Sequence, residues 1–182
     1  VVPHLMDPDF GFARYAENVL TKPQITAWRT GRVKAVGSKT APELYAAHLS
    51  QREAAQILSN FFYDVRLKSR IELRAADSMP PRYIAAYAQL VKSVFGSPAA
   101  LQNVLRHYAG ITTLDITTAK LAVCKDGFNA LAYGKPISSE LTWLLMQARS
   151  RTPSQEERAL LDPFMALVMK RKTIRETENY NE

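Results

Sequence analysis

Cysteine is nearly absent from this 182-residue chain: Cys124 stands alone. A lone cysteine excludes an internal disulfide framework and a cysteine-based metal cluster, and it fits a reducing compartment, so a cytoplasmic location is expected. Histidine is also sparse, with His4, His48 and His107 on separate segments and at no metal-ligand spacing; each reads as an ordinary structural or surface residue. The glycines Gly31, Gly37, Gly127 and Gly134 make no phosphate-cradling fingerprint, because neither the spacing nor a strand-to-helix context is there. No apolar run approaches about 18 residues and no basic-then-apolar leader opens the sequence, so neither a membrane span nor a signal peptide is indicated. Internal repeats, low-complexity blocks and sustained heptads are lacking as well. The chain begins Val1-Val2-Pro3 without a methionine and reads as the retained part of a longer polypeptide.

What is present is enough apolar mass for a core. Hydrophobic residues make up 47% and charged residues 23%, which argues for one folded domain, or part of one, over residues 1–182. The 24 Lys and Arg against 17 Asp and Glu leave a formal charge of +7, which favours anionic partners without specifying nucleic acid. RNA or DNA would call for a continuous basic surface, and Lys170-Arg171-Lys172 is too short for one. Nucleic acid is therefore not expected as a partner.

Along the chain, Tyr15, Val19 and Leu20 predict a short helix that ends before Pro23. Gly31 to Lys39 reads as a loop. Ala41 to Ser59 predicts one helix with Leu44, Ala47, His48, Ala55 and Leu58 on a face. After Pro80-Pro81, a helix is expected to Phe95 with Ile84, Tyr87, Ala88, Val91 and Val94 on its apolar side. Further helices are expected at Ala99 to His107, from an Asp115 or Thr117 cap through Ala132, and at Glu140 to Gln147. A last one starts at Ser154, whose capping-box partner is Glu157, and runs toward Lys172. Cys124 reads as a small buried thiol within its helix. Trp28, beside Arg29 and near Arg32 and Lys34, is read either as a loop anchor or as a contact for adenine.

One segment breaks the helical period. In residues 61–77, Tyr63, Val65, Leu67, Ile71 and Leu73 share one parity, while Arg66, Lys68, Arg70, Glu72 and Arg74 share the other. This predicts a strand, or two divided near Ser69, with an apolar and a charged face. Alternate positions lie roughly 7 Å apart, so the charged side chains can address separate parts of one anionic ligand. Arginine grips carboxylate or phosphate through paired donors, lysine supplies a point charge, and Glu72 can orient an amine or help hold a metal. The same pattern is also what a solvent-facing edge strand or an intramolecular salt-bridge face would carry.

The stretch FFYDVRLKSRIELRAADSMP, Phe61 to Pro80, resembles the signature strand of glutamate-cysteine ligases of the plant and second bacterial family, in which VRLK leads into an ExRxAD motif. Weaker likenesses lie upstream, at Phe12, Tyr15, Pro23 and Gln24, and downstream, at Ala85 to Phe95 and Leu144 to Ala148. The resemblance implies an α+β fold: the mostly helical C-terminal portion of a glutamine-synthetase-like ligase domain, contributing one or two strands to an antiparallel sheet. It implies ATP with Mg2+ as cofactors and glutamate and cysteine as substrates, joined through an acyl phosphate. Carried onto this sequence, Arg66, Glu72 and Arg74 are the expected catalytic residues, Lys68, Arg70 and Asp77 the expected substrate contacts, and Trp28 the expected nucleotide contact. Asp77 reads equally well as the fastener of the turn after the strand. The family's N-terminal half, source of most of its metal-binding glutamates, has no counterpart here, so the metal ligands stay unassigned and a missing N-terminal segment or a companion subunit is expected. The alternative reading is a non-catalytic ligase-like domain that binds an anionic metabolite or a partner protein.

Overall fold

Helix boundaries in the computed structural model, which describes residues 2, 4–45 and 48–178, are set by capping chemistry more than by long apolar periods. The chain divides into two units, Val1–Asp77 and Ser78–Glu182.

The first unit begins with α1 (Phe12–Leu20), as expected. Gly31 to Lys39 is not a plain loop. Its first part closes a hairpin of β1 (Thr26–Arg29) and β2 (Arg32–Ala35), paired antiparallel with Arg29 opposite Arg32. Thr30 and Gly31 form the turn with φ of 47° and 79°, the left-handed pair that suits the twist of a two-residue hairpin. The expected helix from Ala41 to Ser59 is interrupted: α2 (Ala41–Leu44) ends at the extended Tyr45, and α3 (Gln51–Ser59) starts afresh. The cause is a second capping box, in which the Glu53 carboxylate accepts from Ser50 N–H at 2.8 Å and Ser50 Oγ accepts from Glu53 N–H at 3.3 Å. His48 therefore lies off the helix, and Ala47 lies outside the described residues. Last come β3 (Val65–Leu67) and β4 (Ile71–Leu73), an antiparallel hairpin.

Val19, Ala41, Ile57 and Phe61 form the buried core of this unit, with Tyr15, Leu58 and Tyr63 packed on it. A polar knot ties its parts together. Asn60, 7% exposed, donates to Gln24 Oε1 at 3.0 Å and to the Thr26 carbonyl at 2.8 Å, and its own Oδ1 accepts from Thr26 N–H at 3.0 Å. One asparagine thus satisfies both the strand and the end of α3. Tyr63 is the opposite case: its hydroxyl is buried with no hydrogen-bond partner among the described residues, although its ring stacks on Phe61 at 5.8 Å.

The second unit is helical: α4 (Pro81–Phe95), α5 (Pro98–His107), α6 (Thr113–Asp126), α7 (Ile137–Ser150), α8 (Gln155–Ala159), α9 (Asp162–Lys170) and α10 (Ile174–Glu178). The helix expected through Ala132 stops at Asp126, and its cap is Thr112, with Asp115 as the reciprocal acid. Beyond it β5 (Leu131–Ala132) and β6 (Lys135–Pro136) make a minimal antiparallel pair. Ser154 caps α8 as its spacing predicts, but the helix breaks at Leu161, because Pro163 in the first turn of α9 cannot continue the hydrogen-bond ladder. The apolar side of α4 is also rotated from expectation: Tyr83, Ala86, Gln89 and Val94 are buried, while Ile84 is 55% exposed. Gln89 and Ser93 face inward because they join Thr152 in a closed network at 2.9 to 3.2 Å. Val94, Leu145, Ala148 and Leu161 form the core between α4, α7 and α9. Cys124 is exposed, contrary to expectation, because α6 buries only Ala119. The architecture is mixed α and β, mostly helical, with three two-stranded antiparallel sheets among the described residues where one or two strands were expected.

Asn60→Ala should lower stability by about 3 kcal/mol, since several buried partners lose their bonds at once. Tyr63→Phe should be neutral or stabilising by up to about 1 kcal/mol, because it removes a buried hydroxyl that is not repaid. Urea unfolding of the two variants checks both.

Candidate functional site

The charged segment folds into a hairpin whose orientation reverses the simple expectation. Register pairs Val65 with Leu73, Arg66 with Glu72 and Leu67 with Ile71. Val65 and Ile71, at 49% and 69% exposure, are turned toward solvent, while Arg66 is 7% exposed. At Arg66 the charged parity is therefore buried, and an arginine occupies the place a core aliphatic would take, although Leu67 and Leu73 of the other parity are also half-buried.

Hydrogen bonding explains how the cation is tolerated there. Arg66 Nε donates to Glu72 Oε2 at 2.8 Å and Nη2 lies 2.7 Å from the same oxygen, while Nη1 donates to the carbonyls of Ser59 at 3.3 Å and Phe61 at 3.4 Å. These carbonyls belong to the last residue of α3 and the chain just after it, so the guanidinium also acts as a C-terminal helix cap. Arg74 takes the other carboxylate oxygen, Glu72 Oε1, at 3.0 Å and spreads over the Phe62 ring at 5.2 Å. Glu72 thus sits between two guanidinium groups. The hydrogen bond from Arg66 holds its carboxyl below the ordinary value; partial burial opposes this and Arg74 reinforces it.

The remaining predicted residues do not join this cluster. Lys68 makes no ion pair with Glu72 among the described residues and donates instead to Ser59 Oγ at 3.0 Å, on the residue whose carbonyl accepts from Arg66. Arg70 and Asp77 are exposed. Of the five charged side chains expected on one strand face, Arg66, Glu72 and Arg74 are joined by ion pairs, while Lys68 and Arg70 lie beyond the strand ends at the turn around Ser69. Trp28 is on β1 and not in a loop, with its backbone N–H donating to Tyr45 Oη at 3.0 Å and the Arg52 guanidinium 3.8 Å over its ring. One indole face is occupied by that cation.

Magnesium does not fit the hairpin as it stands. Both oxygens of Glu72 are engaged by arginine, and no group of three or more His, Cys, Asp or Glu among the described residues could hold a metal. An anion fits better: Arg74 retains donors not used by Glu72, and Arg70 presents a full guanidinium fork to solvent.

A second polar cluster, in the helical unit, escaped the sequence reading. The His107 ring stacks on Trp143 at 3.5 Å, and its Nε2 lies 2.8 Å from Oε2 of Glu140, which is 6% exposed. Lys135 approaches the other Glu140 oxygen at 3.4 Å. Burial pushes the Glu140 carboxyl up, but the bonds from His107 and Lys135 outweigh it and hold it low; Tyr108 and Tyr133 are raised by burial and by this carboxylate. The available signal was the Glu140–Trp143 spacing, which puts both on one face of α7.

No model of a known protein family matches the chain. Over 113 residues it is 27% identical to the chloroplastic glutamate–cysteine ligase of Brassica juncea. The match covers 58% of this chain and 22% of that relative, so the chain spans about a fifth of the relative's length. The relationship is distant. No helix among the described residues is long and apolar enough to cross a membrane.

Because the Glu72 carboxyl titrates below its ordinary 4.5, the stability it contributes is present at neutral pH and lost as pH falls through the depressed value. Wild type should be more stable than Glu72→Gln near pH 7, and the gap should close as pH is lowered into the acid range, in a series of urea unfolding curves. His107→Ala should cost about 2 kcal/mol by the same measurement, since it removes a stacking partner and a hydrogen-bond partner of a buried carboxylate.

Proposed function

We propose that this chain supplies part of the site of an ATP-dependent ligase that joins the side-chain carboxylate of glutamate to the amino group of cysteine. The observation that carries the reading is the Arg66–Glu72–Arg74 hairpin, formed within the VRLKSRIELRAAD stretch of a chain with a distant glutamate–cysteine ligase relative. In this reaction a glutamate carboxylate oxygen attacks the terminal phosphorus of ATP and ADP leaves. The cysteine amine then attacks the acyl carbon of the mixed anhydride, the C–O bond to phosphate breaks, and an amide and inorganic phosphate result.

The chemistry needs cations that stay charged and hold their direction as negative charge moves from carboxylate to phosphate. Arg74 meets this need: one end is fixed by Glu72 and the rest of its fork is free to take an oxygen of the glutamate or the transferring phosphoryl group. Arg66 is buried behind it and keeps Glu72 ionised, so its role and that of Glu72 are to position Arg74. Arg70 and Lys68, at the turn, are the nearest further donors for a substrate carboxylate or phosphate. Asp77, exposed beyond β4, is the weaker member of the proposed set. Trp28 offers the indole face opposite Arg52 to adenine. ATP would bring magnesium with it, and the acid ligands for that ion would come from outside the hairpin.

A binding module without turnover is the second reading, favoured by the engagement of Glu72 on both oxygens, which leaves the hairpin with anion-binding capacity and no free carboxylate.

Phosphate release that requires ATP, glutamate and cysteine together should be present in the polypeptide that carries this chain. Arg74→Ala should lower it about 100-fold or more with the fold unchanged by circular dichroism. Glutamate- or ATP-dependent thermal stabilisation that persists without any phosphate release would support the binding reading; unchanged turnover in Arg74→Ala would overturn the assignment of the hairpin.

A further inference from the structure

We propose that the apolar cleft between α1 and α3 binds a small amphipathic carboxylate, an alkyl or aryl-alkyl body with a single carboxylate head, and that Lys68 at its rim holds the head. The inference does not rest on the ligase reading. It rests on the lining of a cleft of about 340 Å³, a size at the lower end of those that accept small molecules.

Three elements of the first unit enclose it. Val19 and Leu20 come from α1, Ile57 and Leu58 from α3, and Leu67 from β3. Val19 and Ile57 are each 2% exposed, and the Tyr15 hydroxyl in the lining is already engaged, accepting from Leu67 N–H at 3.3 Å, so the wall is largely apolar. The body of an occupant is therefore apolar.

Lys68 is the one charged residue of the lining. Its ammonium donates to the neutral Ser59 Oγ at 3.0 Å and meets no carboxylate among the described residues, unlike Arg66 and Arg74, which are both committed to Glu72. An ammonium has three N–H donors, and Ser59 takes one, so two remain at the edge of an apolar wall. That complement suits one negative charge with two oxygens. A phosphate dianion would ask for more donors than a lone lysine supplies, and an uncharged chain would leave the ammonium unused.

The test uses the 182-residue chain, with octanoate, hexanoate and octanol as probes, by calorimetry and by methyl chemical shifts of Val19, Ile57 and Leu67. Octanoate should bind about fivefold more tightly than octanol. It should also bind about 15-fold more tightly than hexanoate, since each methylene buried is worth about fourfold. Lys68→Gln should bring octanoate to the level of octanol and leave octanol itself unchanged. Ala54→Leu, which adds bulk at the lining without touching the charge, should weaken both eight-carbon probes. Equal binding of octanoate and octanol to wild type, a preference for octanoate that survives Lys68→Gln, or no saturable shift of the cleft methyls would each overturn the proposal.

Discussion

Arg66 is a cation in a position where the core of the first unit would accept an aliphatic side chain, and the hairpin is arranged around that fact. A guanidinium removed from water needs a compensating charge and partners for its remaining donors, or burial would cost several kcal/mol. Glu72, directly opposite in register, gives the charge; the carbonyls of Ser59 and Phe61 take further donors. The register of β3 on β4, the path of the chain after α3 and the position of Arg74 are all coupled to this one group, because shifting any of them by a residue would leave a buried donor or a buried charge unmatched. With Arg66 taking the buried position, Val65 and Ile71 of the alternate parity are left to solvent.

The same logic recurs with other chemistry. Asn60 fixes Thr26 to the end of α3 with bonds running in both directions, and Gln89, Ser93 and Thr152 close a small network between α4 and the end of α7. Each unit has its own apolar core, but the alignment of elements around that core is specified by buried polar groups, which tolerate few geometries. Burial of apolar area is non-directional and would permit many.

For function, the consequence is that two of the proposed catalytic residues are structural before they are chemical. Arg66 and Glu72 are largely satisfied by each other, and the groups with spare donors are Arg74, Arg70 and Lys68. An ion pair beside a partly free arginine holds a positive charge in place for an anion, since the orientation is set before the ligand arrives. The ammonium of Lys68 meets the hydroxyl of Ser59, whose carbonyl Arg66 takes, and it also lines the apolar cleft.

Local signals were legible in the sequence, because they depend on residues three or four apart. The Ser154–Glu157 spacing marked the start of α8, Pro23 bounded α1, and the parity of residues 61–77 identified strands divided at Ser69. The Ser50–Glu53 box that splits the expected helix was present in the same form and went unread against a stronger apolar period. What the tertiary structure decided was direction: that Arg66 of the charged parity is buried, that α4 buries Gln89 instead of Ile84, that Cys124 is exposed, and that His107 meets Glu140 and Trp143 across a gap of over thirty residues. Period tells which side chains share a face, and the sequence alone determined that much. Which face is buried depends on the partners that satisfy its polar atoms, and those come from segments remote along the chain.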